Sequence, residues 1–256
     1  MNYVVVHCEY RRGTHRMELK KINDSIYYLK SVRETDRPVL GYVVGDSFSI
    51  MIDCGNSKSH LDAFIKCLDD NNLPRPKYAL ITHWHWDHTF GMHAFDGETI
   101  VSSATNEALK RLKEWEWDEE AVVKRLETKE EIAFAYNCMK KEYDTFDKIK
   151  VSTGNIIFED ALTLDLGGTT CQIIKVGGPH EADSCVVYIK EAGVLFAGDA
   201  HSGDYYHGEG KIDPIKMKKY IEFLSTLSFT TYIPGHDAPM SKEEIIPLLN
   251  RFCEVK

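Results

Sequence analysis

The stretch Thr82-His83-Trp84-His85-Trp86-Asp87-His88 places three histidines and an aspartate within six positions, directly after the apolar run Tyr78-Ala79-Leu80-Ile81. So dense a patch of nitrogen and oxygen donors at a strand end is suited to holding a metal ion. Side chains at i and i+2 of an extended segment share a face, so His83 and His85 can grip one cation. Asp87 and His88, one turn of loop further on, face a neighbouring position where a second cation could sit. Three more donors follow short apolar or glycine-rich runs: His180 after Gly177-Gly178-Pro179, Asp199 after Gly193-Val194-Leu195-Phe196-Ala197-Gly198, and His236 after Thr231-Tyr232-Ile233-Pro234-Gly235. A Gly-Asp or Pro-Gly-His pair alone reads as a turn. Its recurrence at the ends of strand-like runs makes a composite site the better reading.

The elements that must carry these residues fall into two blocks. In the first, Ser25–Leu29, Leu40–Val44 and Phe48–Ile52 read as strands joined by turn residues, hence as antiparallel neighbours. The charged connection 32–38 is positioned to lie over a site, and Asp53-Cys54-Gly55 closes the block. A helix is expected from Ser59 to Asn71, with Leu61, Phe64, Ile65 and Leu68 on one face. The strand from Tyr78 then delivers the histidines at its carboxyl end, where open α/β sheets put their chemistry. After a short strand at Thr99–Val101, a charged region of about 104–146 with few turn residues reads as two or more packed helices. The second block resumes with strands at 155–158, 162–164, 170–176, 185–189, 193–198 and 231–235. A final helix is opened by Ser241 with Glu244 three residues on, a capping-box pattern. Two β-rich halves stacked face to face with helices outside follow: an α/β (α+β) chain in a four-layer αββα sandwich, one domain over 1–256 with a helical insert at about 104–146.

Composition excludes several classes. The hydrophobic fraction of 43% is that of an ordinary globular protein, and the formal charge of −9 leaves no basic surplus to neutralise phosphates, so nucleic acid is not an expected partner. No run reaches the roughly 18 apolar residues that span a bilayer. Met1–His7 lacks the basic region of a signal peptide, so a cytoplasmic location and no membrane partner are expected. The seven cysteines are odd in number and form no C-x-x-C pair, which suggests neither a disulfide framework nor a zinc knuckle.

With these residues in view, the chain resembles the metallo-β-lactamase-fold hydrolases from roughly Ser25 to the last helix. The H-x-H-x-D-H motif is His83, His85, Asp87 and His88, and His180, Asp199 and His236 follow in the family's order. The resemblance implies two metals, zinc by preference with iron or manganese as alternatives. His83, His85 and His180 would hold the first, Asp87, His88 and His236 the second, and Asp199 would bridge them. Two such ions about 3.5 to 4 Å apart share a hydroxide that attacks a carbonyl or phosphoryl centre. Asp87 would also serve catalysis by orienting that nucleophile or taking its proton. Asp53 would stand behind the ligands, fixing one through a hydrogen bond.

Some branches are set aside on the residues. Flavodiiron reductases need a carboxylate where His85 stands, and the best-known lactamases carry cysteine in place of Asp199. Hydrolases of glutathione thioesters have a helical domain after the last histidine, where only Asp237–Lys256 follow here. The expected activity is therefore hydrolysis of an ester, lactone, thioester or amide bond in a small molecule. The alternative on the same fold is a mononuclear iron dioxygenase of the persulfide-oxidising kind. Tyr205, Tyr206 and His207 are candidate substrate-binding residues, because the resembling lactonases use a tyrosine in this region. Trp84 and Trp86 either pack beneath the loop or face the substrate. The oligomeric state and the bond hydrolysed stay open.

Overall fold

A computed structural model of the protein describes residues 4–12 and 15–254. Its first sheet has eight strands side by side in chain order: β1 (Val4–Arg12), β2 (His15–Lys21), β3 (Ile26–Leu29), β4 (Leu40–Val44), β5 (Ser49–Ile52), β6 (Tyr78–Leu80), β7 (Glu98–Ser102) and β8 (Ile156–Phe158). β1 to β5 pair antiparallel, with a longer loop between β3 and β4, whereas β5 to β8 run parallel. Parallel neighbours need crossovers. Helix α1 (Lys58–Asp70) joins β5 to β6, the short α2 (Trp86–Thr89) lies between β6 and β7, and α3 (Ser103–Lys113), α4 (Glu119–Thr128) and α5 (Ala133–Glu142) lie between β7 and β8.

The second sheet orders β9 (Ala161–Asp165), β10 (Thr170–Lys175), β11 (Cys185–Ile189), β12 (Val194–Gly198), β13 (Thr231–Pro234) and β14 (Met240–Ser241) in the same sequential way. Only β12 and β13 are parallel, with α6 (Pro214–Ser225) between them, and α7 (Lys242–Asn250) with a 3-10 turn at Arg251–Cys253 follows β14.

Strand alternation builds the layers. In β5, Ile50 and Ile52 enter the core between the sheets, where they join Ile26, Leu80, Ile173, Val187 and Phe196. Met51 between them points the other way, onto Leu61, Phe64 and Leu68 of α1. In β12, Val194 and Phe196 face the first sheet while Leu195 and Ala197 pack under Met217, Tyr220 and Leu224 of α6. Helix, sheet, sheet, helix is the resulting αββα order. Strands covered on both faces read as continuous apolar runs, which is why β11 and β12 are buried throughout. Each such Leu, Ile or Phe contributes about 1.5–3 kcal/mol by leaving water.

Several details differ from expectation. Helix α1 begins at Lys58 with Ser57, not Ser59, as its cap, because the Ser57 hydroxyl accepts the His60 amide at 3.0 Å. The Ser241–Glu244 capping box forms in both directions as expected. β1, β2 and α6 were not anticipated, although Asp213-Pro214 is a helix-start signal: the Asp213 side chain caps the first turn and proline occupies its first position. Among the described cysteines, Cys54, Cys138, Cys171, Cys185 and Cys253 are free and Cys67 is disulfide-bonded, a bond that the cysteine pattern, which suggests no disulfide framework, did not announce. Among the described residues no helix is long and apolar enough to cross a membrane.

Candidate metal centre

The carboxyl ends of β5, β6, β12 and β13 meet at one edge of the sandwich, and each delivers a polar residue there: Asp53, His83 with His85, Asp199 and His236 respectively. His180 joins them from the loop before β11, and Asp87 and His88 from α2. Glycines at the strand ends permit this close approach. A Cβ at Gly235 would meet Asp199 Oδ1 at 2.0 Å, and one at Gly198, where φ is +48°, would meet Thr82 Oγ1 at 2.6 Å. These glycines let the strand ends touch the ligand loop.

The seven expected ligands sort into two groups. His83, His85 and His180 bring one ring nitrogen each into a common space, as do the donor atoms of Asp87, His88, Asp199 and His236. His180 Nε2 is 3.3 Å from His83 Nε2 and 3.0 Å from His85 Nδ1. Tetrahedral ligation at a Zn–N distance of about 2.0–2.1 Å separates nitrogens by about 3.3 Å. In the second group His236 Nε2 lies 3.0 Å from Asp87 Oδ2 and 3.3 Å from Asp199 Oδ2. Asp199 Oδ2 is also 3.9 Å from His180 Nε2, so this carboxylate faces both groups.

Every one of these rings but His236 is oriented by a short bond at its other nitrogen. His83 Nδ1 meets Thr82 Oγ1 at 3.1 Å, His85 Nε2 meets Glu181 Oε1 at 3.2 Å, His88 Nδ1 meets Asp53 Oδ2 at 2.7 Å, and His180 Nδ1 meets the Gly203 carbonyl at 2.7 Å. Each acceptor dictates the tautomer that leaves the inner nitrogen with a lone pair for a cation. Asp53 does more than hold His88, because its carboxylate also accepts the Thr82 amide at 2.8 Å and the Thr82 hydroxyl at 2.9 Å. Of these outer partners, sequence pattern had pointed to Asp53 but not to Thr82, Glu181 or Gly203. Glu181 sits next to a ligand in the chain, which is the one cue it offered.

The electrostatics divide the same way. Burial, reinforced by neighbouring imidazoles, holds His83 well below the usual histidine range and His180 down at about 4, so both are neutral as ligation requires. In the second group burial opposes ionisation but opposite charges prevail. Asp87 and Asp199 are held well below the ordinary carboxylate value, and His88 and His236 well above the ordinary imidazole one. His88 Nε2 is buried without a hydrogen bond although Asp87 Oδ2 is 3.1 Å away. An orphaned inner nitrogen among ionised carboxylates fits a divalent cation, and so does the imidazole and carboxylate donor set.

The candidate substrate residues separate. Tyr206 stacks 4.9 Å from the His85 ring and 5.0 Å from Trp84, and its hydroxyl donates to Glu131 Oε1 at 3.0 Å. Tyr205 is 53% exposed, its ring 6.2 Å from His180. His207 lies on the surface with Nδ1 3.9 Å from Glu181 Oε1. A cavity of about 580 Å³ opens beside this loop, lined by Pro179, Asp204, His207, Lys211, Ile212 and Asp213. Trp86 is buried against Phe90, while Trp84 faces Tyr206, so the two tryptophans take different roles. The helices between β7 and β8 thus reach the site: Glu131 lies between α4 and α5.

Comparison with known proteins agrees with this geometry. Residues 35–236 match the family model described as the metallo-beta-lactamase superfamily. Acyl-coenzyme A thioesterase MBLAC2 of Bos taurus is 23% identical across 91% of this chain and 85% of its own length, and the Homo sapiens protein of that name is 24% identical with the same coverage. A metallo-beta-lactamase from Pontibacter korlensis superposes with a TM-score of 0.64 at 18% identity, covering 94% of this chain and all 100% of that one, a likeness of fold.

Proposed function

The chain belongs to the metallo-beta-lactamase superfamily, and from that premise we propose that it is a dinuclear zinc hydrolase of acyl thioesters. That it is a metallo-hydrolase acting on acyl or ester-type bonds of small molecules follows from the family and the two donor groups. The finer reading rests on the names of its two thioesterase relatives. The observation that carries the dinuclear part is Asp199, whose Oδ2 lies within 3.9 Å of a nitrogen in each group.

His83, His85 and His180 would hold one zinc, Asp87, His88 and His236 the other, with Asp199 between them. When bound, such a pair supplies a Lewis acid for the carbonyl oxygen and a water whose pKa falls to about 7. Asp87, held ionised, would orient that water or accept its proton. Asp53, Thr82, Glu181 and the Gly203 carbonyl keep the imidazoles in place, so little reorganisation accompanies the reaction. Trp84 and Tyr206 cover the His85 side and exclude solvent from it. The cavity beside Pro179 and His207 has room for the leaving thiol or the acyl part.

The test is thiol release from acetyl- and palmitoyl-coenzyme A by the zinc-loaded chain. Hydrolysis that is lost on chelation and in Asp87→Asn supports the proposal. Cleavage of a lactone or phosphodiester with both thioesters untouched would remove the thioester assignment, and oxygen uptake with one iron per chain would replace hydrolysis altogether.

A further inference from the structure

His236 differs from the other four rings in having no short bond at its outer nitrogen, yet its surroundings are built around it. The loop between β3 and β4 grips the segment that carries it at two points. Ser31 Oγ donates to the His236 carbonyl at 2.8 Å, and the Val39 amide donates to the Gly235 carbonyl at 2.6 Å. Between these anchors the loop is itself fastened. Val32 and Arg37 exchange backbone hydrogen bonds of 2.8 and 3.0 Å, and Asn56 Nδ2 donates to the Thr35 carbonyl at 2.8 Å. The Arg37 guanidinium forks onto Glu142 of α5, Nε to Oε2 at 3.0 Å and Nη2 to Oε1 at 2.7 Å.

At the tip of this loop stands Asp36, in the left-handed region with φ 54° and ψ 38°. Its side chain is only 14% exposed, and its Oδ1 is 3.7 Å from His236 Nδ1. That is an ion-pair separation, just outside hydrogen-bond length. Burial, with the charges of Asp87 and Asp199, pushes the Asp36 carboxyl up to about 7 while His236 opposes the rise, so the acid ionises fully only with cationic charge near. A strained backbone, a clamped loop and a poorly solvated acid all converge on the one ring that lacks an outer partner.

We propose that Asp36 is the positioning residue of the second metal, orienting His236 through Nδ1 and adding outer negative charge to the group formed by Asp87, His88, Asp199 and His236. It rests on the dinuclear reading above, but concerns a residue outside the ligand motif. The expected consequence is selective: Asp36 strengthens the second site and leaves the histidine-only first site alone. Outer partners of metal-bound histidines typically change affinity by about 10–100-fold.

The experiment is calorimetric titration of the full apo chain with zinc alone, comparing wild type, Asp36→Asn and Asp36→Gly, with metal content after dialysis as a second readout. Asparagine and glycine both accept the left-handed backbone, so folding is spared and the melting temperature of the apo chains serves as the check. The expected result is two binding steps in the wild type, with the weaker step alone reduced about tenfold or more in Asp36→Gly and by less in Asp36→Asn, whose amide oxygen still accepts a hydrogen bond but carries no charge. An unchanged weaker step in Asp36→Gly would overturn the proposal. So would equal weakening of both steps with a lowered melting temperature, which is the mark of a merely structural residue. A wild type that binds a single zinc would instead remove the dinuclear reading itself.

Discussion

Glu181 Oε1 lies 3.2 Å from Nε2 of His85, whose Nδ1 in turn faces His180 Nε2 at 3.0 Å. One acid thus sets the tautomer of a candidate ligand, and its chain neighbour His180 belongs to the same donor group. Replacing Glu181 by alanine should weaken the tighter zinc step about 10-fold or more, with glutamine, which still accepts a hydrogen bond, restoring part of it. Competition with a chromophoric chelator reads this directly, and equal affinities in all three proteins would exclude the role.

Asp183 gives the stability a pH dependence. Its Oδ2 accepts the Trp84 amide at 3.0 Å and the Thr105 hydroxyl at 2.8 Å, while Oδ1 is buried without a partner. Burial raises its pKa from 3.8 to about 6. Between those values the folded chain binds more protons than the unfolded one, so stability falls as pH rises through the window. A shift of about 2 units corresponds to roughly 3 kcal/mol. Denaturant melts of wild type and Asp183→Asn should therefore diverge between about pH 4 and 6 in favour of the variant, then run parallel. Parallel curves throughout would contradict the assignment.

Arg37 and Glu142 form an ion pair with side chains only 7% and 2% exposed, and the Ser57 hydroxyl donates to the same carboxylate at 2.5 Å. Removing one partner leaves the other charged, buried and alone. Glu142→Ala should cost about 3–5 kcal/mol by urea unfolding, whereas an Arg37→Met and Glu142→Leu double variant should recover much of it. A single variant as stable as wild type would show that the pair is not sealed from solvent.

The candidate donor cluster was legible in the sequence for a chemical reason: three histidines and an aspartate in so short a run are a donor set suited to a metal. Short apolar strands bounded by turn residues such as β4 and β5, and the capping box at Ser241, were legible because their patterns are local. β1 has only the short apolar run Val4-Val5-Val6 before its charged residues and β2 is mostly charged, so neither shows a sustained strand pattern, and α6 shows its start only through the Asp213 cap and Pro214. What could not be read were contacts that exist only after folding. Glu131 meets Tyr206, Arg37 meets Glu142 and Ser31 meets His236 across long stretches of chain. The charged connection 32–38 was expected to lie over a site, and it does, but only tertiary structure shows that Asp36 is the residue turned toward His236.

The most direct test is reconstitution: thioester hydrolysis measured as zinc is returned to the apo chain, plotted against bound zinc per chain. Activity that rises to a plateau at two zinc ions, and falls away in His236→Ala, which should retain the fold and about one zinc, is the predicted result. A plateau reached at one ion, or full activity in His236→Ala, would contradict a dinuclear centre bridged by Asp199.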